Sequence, residues 1–505
     1  FGSSSDSQPP LALRAIFVSR APPPRGSPPL PARILRPVAM ISTLRRSFQP
    51  RFASRTVSQV LAEPMSWNQP AAVVTTLPNG LKVATKETYG ELSSVGLFVN
   101  AGVRDETAAT RGSTLFLEKL ALSGTAKRPR SKLETEVELM GAELGVKAGR
   151  EHTAYTMSVP GGDVSKSVDI LGDLAASPGI TNFAKEKENV LRALDESEQP
   201  NRAVLDDRLH ACAFRDCALG FSTVGPAEEY ASLSEAALKD YVSSTYASDK
   251  MVLSAVGPVK HEDVVKAATA AFGGLKPAAP APGVTKPYFC GAELIYRNDE
   301  MGALAYVSVG WEGVPLRSPD AITFMLMKSI IGSYKKTAGL VPGNISGNRV
   351  ANAVANKMGV GCAEEFEAFN CSYKDTGMFG FYVVCDEVAV EHAVGELMFG
   401  CNLLSFAVTE EEVARGKREL KAALCDAVGT TAGACAGLGA EVLSYGRSIP
   451  LAEMMLRIDA IDAEEVKRVA YKYLNDNEIS VTALGPLHGM PQYFDLRRAT
   501  VMHRY

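Results

Sequence analysis

Ser234-Glu-Ala-Ala-Leu-Lys239, running on to Val252-Leu-Ser-Ala-Val-Gly257-Pro258, is matched without a gap by Asp462-Ala-Glu-Glu-Val-Lys467 and Ser480-Val-Thr-Ala-Leu-Gly485-Pro486, at an offset of 228 residues. In each copy a Ser or Asp at an N-cap position precedes a helical apolar spacing. A short apolar run follows and stops at Gly-Pro, where proline can extend neither a helix nor a central strand. The pattern is one helix-then-strand unit written twice. With 505 residues and 46% hydrophobic content the chain has material for more than one core, so the repeat predicts two homologous α+β domains. Between the copies, the prolines of Leu275-Lys-Pro-Ala-Ala-Pro-Ala-Pro-Gly283 make a semi-rigid joint. This places an N-terminal domain at 70–275, a linker at 276–289 and a C-terminal domain at 290–505.

Nearer the N-terminus, Leu115-Phe-Leu-Glu118-Lys119-Leu-Ala-Leu-Ser-Gly124 reads as an amphipathic helix opening on Ser113 and closing near Gly124. A helix that binds zinc through the inverted pattern H-x-x-E-H presents two histidines on one face, and the glutamate between them takes a proton from zinc-bound water. Here the frame is L-F-L-E-K. Glu118 stands at the general-base position, but Leu115 has no lone pair to donate and Lys119 is a cation at neutral pH. The six histidines, His152, His210, His261, His392, His488 and His503, include no pair at i, i+3 or i, i+4, and the nine cysteines contain no C-x-x-C. The cysteines therefore read as small buried apolar side chains. The ammonium of Lys119 is expected to pair with Asp195 or Glu196, one cation replacing another.

The surrounding order of elements is also informative. Leu77-Pro-Asn79-Gly80-Leu81 is a hairpin signal, Ser131-Lys-Leu-Glu134 reads as a capping box opening a helix through Met140, and a strand-like stretch ends at Thr153-Ala-Tyr-Thr156. In the second half stand Glu365-Phe-Glu-Ala-Phe-Asn370-Cys-Ser-Tyr-Lys-Asp375-Thr-Gly377, then Val384-Cys385-Asp386, Ser444-Tyr445-Gly446-Arg447-Ser-Ile-Pro450-Leu-Ala-Glu453 and Arg497-Arg498. From about Val73 to the C-terminus these motifs resemble the beta-type family of mitochondrial processing peptidase. That family of pitrilysin-like inverted zinc peptidases also takes in core protein 1 of ubiquinol-cytochrome c reductase (complex III), to which the second-half motifs are most similar.

The resemblance implies an α+β fold of two homologous domains, each a mainly antiparallel sheet with helices on one face, paired like a clam around the linker. It implies a third zinc ligand, a glutamate on a later helix. Aligning that helix by Leu209-His210-Ala-Cys-Ala-Phe214 puts Ala193 in the ligand place, although shifting the register by one turn would bring Glu196 or Glu188 there. Metal is not expected, Leu115, Lys119 and Ala193 being degenerate ligand positions and Glu118 a vestigial base. The function so implied is that of a non-catalytic core subunit of complex III. Its partners would be a second core or processing-peptidase-like subunit as a heterodimer, together with cytochrome b, cytochrome c1 and the Rieske protein. The alternative is a subunit of the processing peptidase itself, a zinc metalloendopeptidase that cleaves presequences, with presequence peptides in the cavity. A substrate-recognising alpha-type role fits less well, because Thr337-Ala-Gly339-Leu-Val-Pro-Gly343-Asn-Ile-Ser-Gly347 is sparse in glycine.

The first sixty residues carry nine arginines, no lysine and a single acid, Asp6, among many serines and prolines. That is the composition of a mitochondrial transit segment, assigned to 1–62 with Met40 as a candidate initiator. The address expected is the matrix side of the inner membrane, peripherally bound. The apolar run 393–408 contains Glu396 and 324–331 contains Lys328, so neither is expected to span a bilayer. A net charge of -4 carries no nucleic-acid signature, and no glycine-rich loop stands between strand and helix to cradle a phosphate. No cofactor is expected, zinc alone entering if the peptidase alternative holds.

Overall fold

The computed structural model describes residues 70–501 apart from 126, 177, 179, 181–182, 198–201, 216, 224–229, 279–285, 339–346 and 360. The leader 1–62, the middle of the 276–289 linker and most of the 337–347 loop lie outside the described residues.

The first half contributes strands β1 (Val73–Thr76), β2 (Lys82–Glu87), β3 (Leu92–Val99), β4 (Glu143–Ala148), β5 (Thr153–Pro160) and β6 (Met251–Gly257). Its helices are α1 (Ser113–Leu120), α2 (Arg130–Met140), α3 (Val164–Ala176), α4 (Phe183–Ser197), α5 (Arg202–Ala213), α6 (Glu235–Thr245) and α7 (His261–Phe272). The second half contributes β7 (Ala292–Arg297), β8 (Leu304–Glu312), β9 (Ser333–Lys335), β10 (Glu365–Ser372), β11 (Gly377–Asp386) and β12 (Ile479–Gly485). Helices α8 (Ala321–Ile331), α9 (Arg349–Asn356), α10 (Val390–Phe406), α11 (Glu410–Gly429), α12 (Thr431–Tyr445), α13 (Leu451–Asp459), α14 (Ala463–Tyr473) and α15 (Tyr493–Arg498) accompany them.

The strands form two mixed six-stranded sheets, ordered β1-β2-β6-β3-β5-β4 and β7-β12-β8-β11-β10-β9. Each sheet has one parallel pair, β2 with β6 and β7 with β12, and is otherwise antiparallel. The written repeat is thus a structural one: α6 leads to β6 and α14 to β12. Ser234 Oγ accepts the Ala237 amide at 3.2 Å, and Asp462 Oδ1 accepts the Glu465 amide at 2.8 Å, so both N-caps form as their residue types require. The β1–β2 hairpin closes where expected, with Leu77 N–H donating to Leu81 O at 2.8 Å and Gly80 at φ 91°, a left-handed position that favours glycine. The capping box at Ser131 does not form. Helix α2 starts one residue earlier, behind Pro129, and Glu134 instead takes the Arg130 guanidinium at 2.7 Å.

Alternation along the strands assigns two buried faces to each sheet. Val95, Leu97, Leu253 and Ala255 point into the first core with Phe116, Val168, Leu171 and Phe272 from the half's own helices. Val309, Trp311, Phe381 and Val481 do the same in the second, against Phe324, Leu397 and Val466. The opposite faces are covered by an exchange of helices. Helix α12 of the second half lies on the first sheet, packing Ala434, Cys435, Leu438 and Val442 on Phe98, Val252 and Val256. There Ser94 Oγ donates to Thr431 Oγ1 at 3.0 Å.

Helix α5 of the first half lies on the second sheet, with Val204 and Leu205 on Tyr382, Val384 and Leu484, and Leu209 and Phe214 on Phe369 and Met378. A polar seam reinforces the join. Buried Arg104 reaches Glu151 at 2.6 Å and Asp375 at 2.5 Å, Arg202 pairs with Glu367, and His210 Nε2 meets the Tyr373 hydroxyl at 2.6 Å. All nine cysteines are free and five are buried. Burial pushes the thiols of Cys401 and Cys435 up to about 12, as inert apolar side chains require. No helix among the described residues is long and apolar enough to cross a membrane.

Candidate functional site

Helix α1 starts behind Gly112, whose φ is 86° and whose missing Cβ leaves room for the Tyr230 ring; a Cβ would stand 2.3 Å from Tyr230 Cδ1. Its first amides are satisfied from a distance. Glu106 accepts Gly112 N–H at 2.8 Å and Thr114 N–H at 2.7 Å, one on each carboxylate oxygen. Burial raises the Glu106 carboxyl above its ordinary pKa, while those hydrogen bonds pull against the rise. Phe116, Leu117 and Leu120 turn into the core. The other face presents Leu115, Glu118 and Lys119 together, as their i, i+3, i+4 spacing dictates.

Glu118 is held on both oxygens. Oε2 accepts the amide of Ala148, the last residue of β4, at 2.9 Å, and Oε1 takes the Lys119 ammonium at 3.1 Å. Among the described residues the carboxylate that meets Lys119 is its own neighbour, brought within reach because adjacent side chains on one solvent-facing turn can curl together. The expected pairing of Lys119 with Asp195 or Glu196 falls on side chains that lie outside the described residues. Lys119 is about half exposed and Glu118 about one quarter, at 47% and 24% of their side-chain surfaces, so the pair contributes little to stability.

Ala193 lies on α4, which packs against α1. Phe183 sits 6.0 Å from Phe116 between ring centroids, and Val190 and Leu194 join the same core as Phe116 and Leu120. Ala193 itself is exposed. In the alternative register, Glu188 is at the surface with Arg192 at 3.3 Å. Helices α1 and α4, which carry the expected ligand positions, are therefore neighbours, yet the isobutyl of Leu115, the ammonium of Lys119 and the methyl of Ala193 offer a divalent ion no electron pair. This donor set does not fit zinc.

The described histidines are elsewhere. His210 is between the halves, His261 is held by Thr75 and Thr85 hydroxyls at 2.8 Å each, and His488 is beside Arg297 at 2.7 Å. Among the described residues no three His, Cys, Asp or Glu side chains converge as metal ligands do. The Glu106 cap and the Ala148 amide escaped the sequence reading, since nothing local marks a carboxylate seven residues before the first residue of a helix or an amide thirty residues beyond Glu118.

Two copies of a sheet-and-helix unit, with an inverted-motif glutamate on the first helix of the first copy, define the class of the two-domain insulinase-type peptidases. Residues 82–227 match the family model "Insulinase (Peptidase family M16)" and residues 232–420 match "Peptidase M16 inactive domain". The chain belongs to peptidase family M16. It is 34% identical over 444 residues to the probable mitochondrial-processing peptidase subunit beta of Arabidopsis thaliana, covering 86% of this chain and 82% of that protein. It is 35% identical over 441 residues to the human cytochrome b-c1 complex subunit 1, covering 86% and 91%. The mitochondrial-processing peptidase subunit beta of Mus musculus is 34% identical over 458 residues, covering 89% and 92%. A chain of the solved structure "Complex III2 from Candida albicans, Inz-5 bound" shares the fold, with TM-score 0.75, 23% identity and coverage of 85% of this chain and 100% of that one.

Proposed function

We propose that this chain is a non-catalytic core subunit of mitochondrial ubiquinol-cytochrome c reductase, descended from a processing-peptidase beta subunit. One observation carries the reading: on α1 the residues flanking Glu118 at the ligand positions are Leu115 and Lys119, and both carboxylate oxygens of Glu118 are engaged within the chain. The similarity to the human cytochrome b-c1 complex subunit 1 supports it. In this reading the arginine-rich 1–62 segment directs import and the cysteines stay reduced in the matrix. The folded chain pairs with a second core or processing-peptidase-like subunit, and the pair holds cytochrome b, cytochrome c1 and the Rieske protein from the matrix side of the inner membrane. Permanent interfaces of this kind bury more than about 2,000 Å².

A second reading, a subunit of the mitochondrial processing peptidase, is favoured by the 34% identity to relatives bearing that name. The discriminating experiment purifies the chain from detergent-solubilised mitochondria, measures zinc per chain by mass spectrometry, and assays presequence cleavage with and without chelator, for the wild type and for Glu118→Gln. The scaffold reading expects co-purification with cytochrome b and c1, zinc far below one per chain, and no effect of the substitution on cleavage. Near-stoichiometric zinc that leaves together with cleavage activity, in a soluble fraction free of cytochromes, overturns it.

A further inference from the structure

Glu118 is the first of a line of contacts that ends in the other half of the chain. Its Oε2 holds the amide of Ala148, and Ala148↔Thr153 is the last pair of the β4–β5 ladder. Beyond that pair the backbone reverses, Gly149 N–H donating to His152 O at 2.9 Å, so Arg150 and Glu151 stand at the tip of the hairpin. Both side chains leave the first sheet. Arg150 donates to Asp207 of α5 at 2.7 Å and to the carbonyls of Leu219 and Phe221 at 2.9 and 2.8 Å. Glu151 takes the Arg104 guanidinium at 2.6 Å and the backbone amide of Lys374 at 3.2 and 3.1 Å, one contact on each oxygen. Lys374 lies in the turn between β10 and β11, and Asp375 of the same turn holds Arg104 from the other side. The tip of a first-sheet hairpin is therefore bound to the tip of a second-sheet hairpin.

The hairpin is gripped along this line. Val103 N–H and Arg104 N–H donate to Gly149 O and Arg150 O at 3.3 and 2.9 Å, and the Gly102 backbone lies so close that a Cβ there would stand 2.5 Å from Arg150 O. The charges at the tip are buried, Arg104 with Glu151 and Arg150 with Asp207. Withdrawing the tip leaves Asp207 without its cation and Arg104 with one carboxylate in place of two, and a buried charge that loses its partner is strongly unfavourable. Arg150 and Glu151 are neighbours on one turn, so they seat together or withdraw together.

We propose that the β4–β5 hairpin is a lever coupling the exposed face of α1 to the junction of the two halves. Glu118 holds its base at Ala148 and so keeps Arg150 and Glu151 seated on α5 and on the β10–β11 turn. A group that draws the Glu118 carboxylate away from the Ala148 amide frees the junction. Glu118 is then a positioning residue, acting on the second half through a hairpin that it touches only at the base. Coupling of this kind requires an element with two arrangements that both ends bias; the tip, seated or withdrawn, is that element. By linkage the effect runs both ways, so what unseats the tip loosens the base by the same factor. Every contact in the line is internal to this chain, so the lever stands whether the protein is a scaffold or a processing subunit.

Hydrogen exchange at single-residue resolution on the full chain reads both ends of the lever: the Ala148 amide at the base, and the Lys374 amide, whose acceptor is the Glu151 carboxylate. Glu118→Ala should speed exchange at Ala148 and also at Lys374, each by at least about tenfold, tenfold being the factor for ~1.4 kcal/mol. Glu118→Gln, which keeps an acceptor for Ala148, should return both amides to the parent rate. Glu151→Ala should speed Ala148 as well as Lys374. In Glu118→Ala/Glu151→Ala the Lys374 amide should exchange no faster than in Glu151→Ala alone, because Glu118 acts on it only through that carboxylate. Acceleration confined to Ala148 in Glu118→Ala or to Lys374 in Glu151→Ala, or recovery of one amide without the other in Glu118→Gln, overturns the proposal. So does further acceleration of Lys374 in the double variant, which reports a general loosening of the fold in place of a lever.

Discussion

Replacing Gly439 by alanine tests the helix exchange directly. Gly439 is buried on α12, and a Cβ there would lie 2.2 Å from Phe98 Cδ2 and Cε2, against ordinary contacts of 3.4 Å or more, so the ring must withdraw by about 1.2 Å. Phe98 is 2% exposed and packed among Val252, Val256, Leu438 and Val442, which leaves it nowhere to go in a close-packed interior. Overpacking of this size costs about 1–3 kcal/mol. Phe98→Leu alone, a smaller apolar side chain in the same site, should cost about 1.5 kcal/mol, but it vacates the space the new methyl needs. The double variant should therefore be less destabilised than the singles predict, with a coupling of about 1.5 kcal/mol. Urea unfolding followed by circular dichroism measures all three, provided the slopes stay equal so that midpoints report stability alone. Gly439→Ala within about 0.5 kcal/mol of the parent, or strict additivity in the double variant, would mean that α12 does not seat on this face of the first sheet.

Two further outcomes follow from buried polar groups. His210 donates Nδ1–H to the Asp206 carbonyl at 2.6 Å and accepts the Tyr373 hydroxyl on Nε2; burial, then the charge of Arg150, hold its pKa well below the ordinary 6.5. The folded state thus binds fewer protons than the unfolded one below about pH 6.5, and stability should fall as pH drops through that value by ~1.4 kcal/mol per unit. His210→Gln should lose this part of the slope, and equal slopes for the two proteins in urea midpoints between pH 5 and 8 would refute it. Glu106→Ala leaves two helix-start amides without their acceptor in a buried site and should cost about 2 kcal/mol; a thermal unfolding series showing less than about 0.5 kcal/mol would mean that other groups satisfy them.

The duplicated unit was legible because its signals are local. Ser234 and Asp462 each cap a helix through an amide three residues on, the apolar runs after them are short, and Gly-Pro ends both. Asn79-Gly80 marked the hairpin for the same reason. The exchange of α5 and α12 left no such trace. Contacts such as Ser94 with Thr431 join residues 337 apart, and Thr-Ala-Gly-Ala-Cys-Ala-Gly-Leu-Gly-Ala at the start of α12 looks featureless until the sheet beneath it is known. Its small residues are what let the helix lie against Phe98. At the site, the sequence supplied the positions of Leu115, Glu118 and Lys119 on one helix face, since spacing fixes that. The capping of Ser131 was misread because it depends on which turn wins among nearby alternatives, Pro129 standing ahead of Ser131, and the contact of Lys119 with Glu118 went unread because it depends on a rotamer.

Glu118 persists at a place where the scaffold reading gives it no proton to move, and its contacts supply a different reason for its presence. The Ala148 amide ends β4, the outermost strand of the first sheet, and Glu118 ties that edge to α1 across thirty residues. A general base needs a free oxygen aimed at the reacting water; here one oxygen closes the strand edge and the other neutralises Lys119. Glutamine at this position keeps an acceptor for the amide, so the strand edge survives the substitution, whereas alanine removes it. A difference between Glu118→Gln and Glu118→Ala in amide exchange at Ala148, with cleavage unmoved in both, would separate a carboxylate that holds an edge from one that once served a metal.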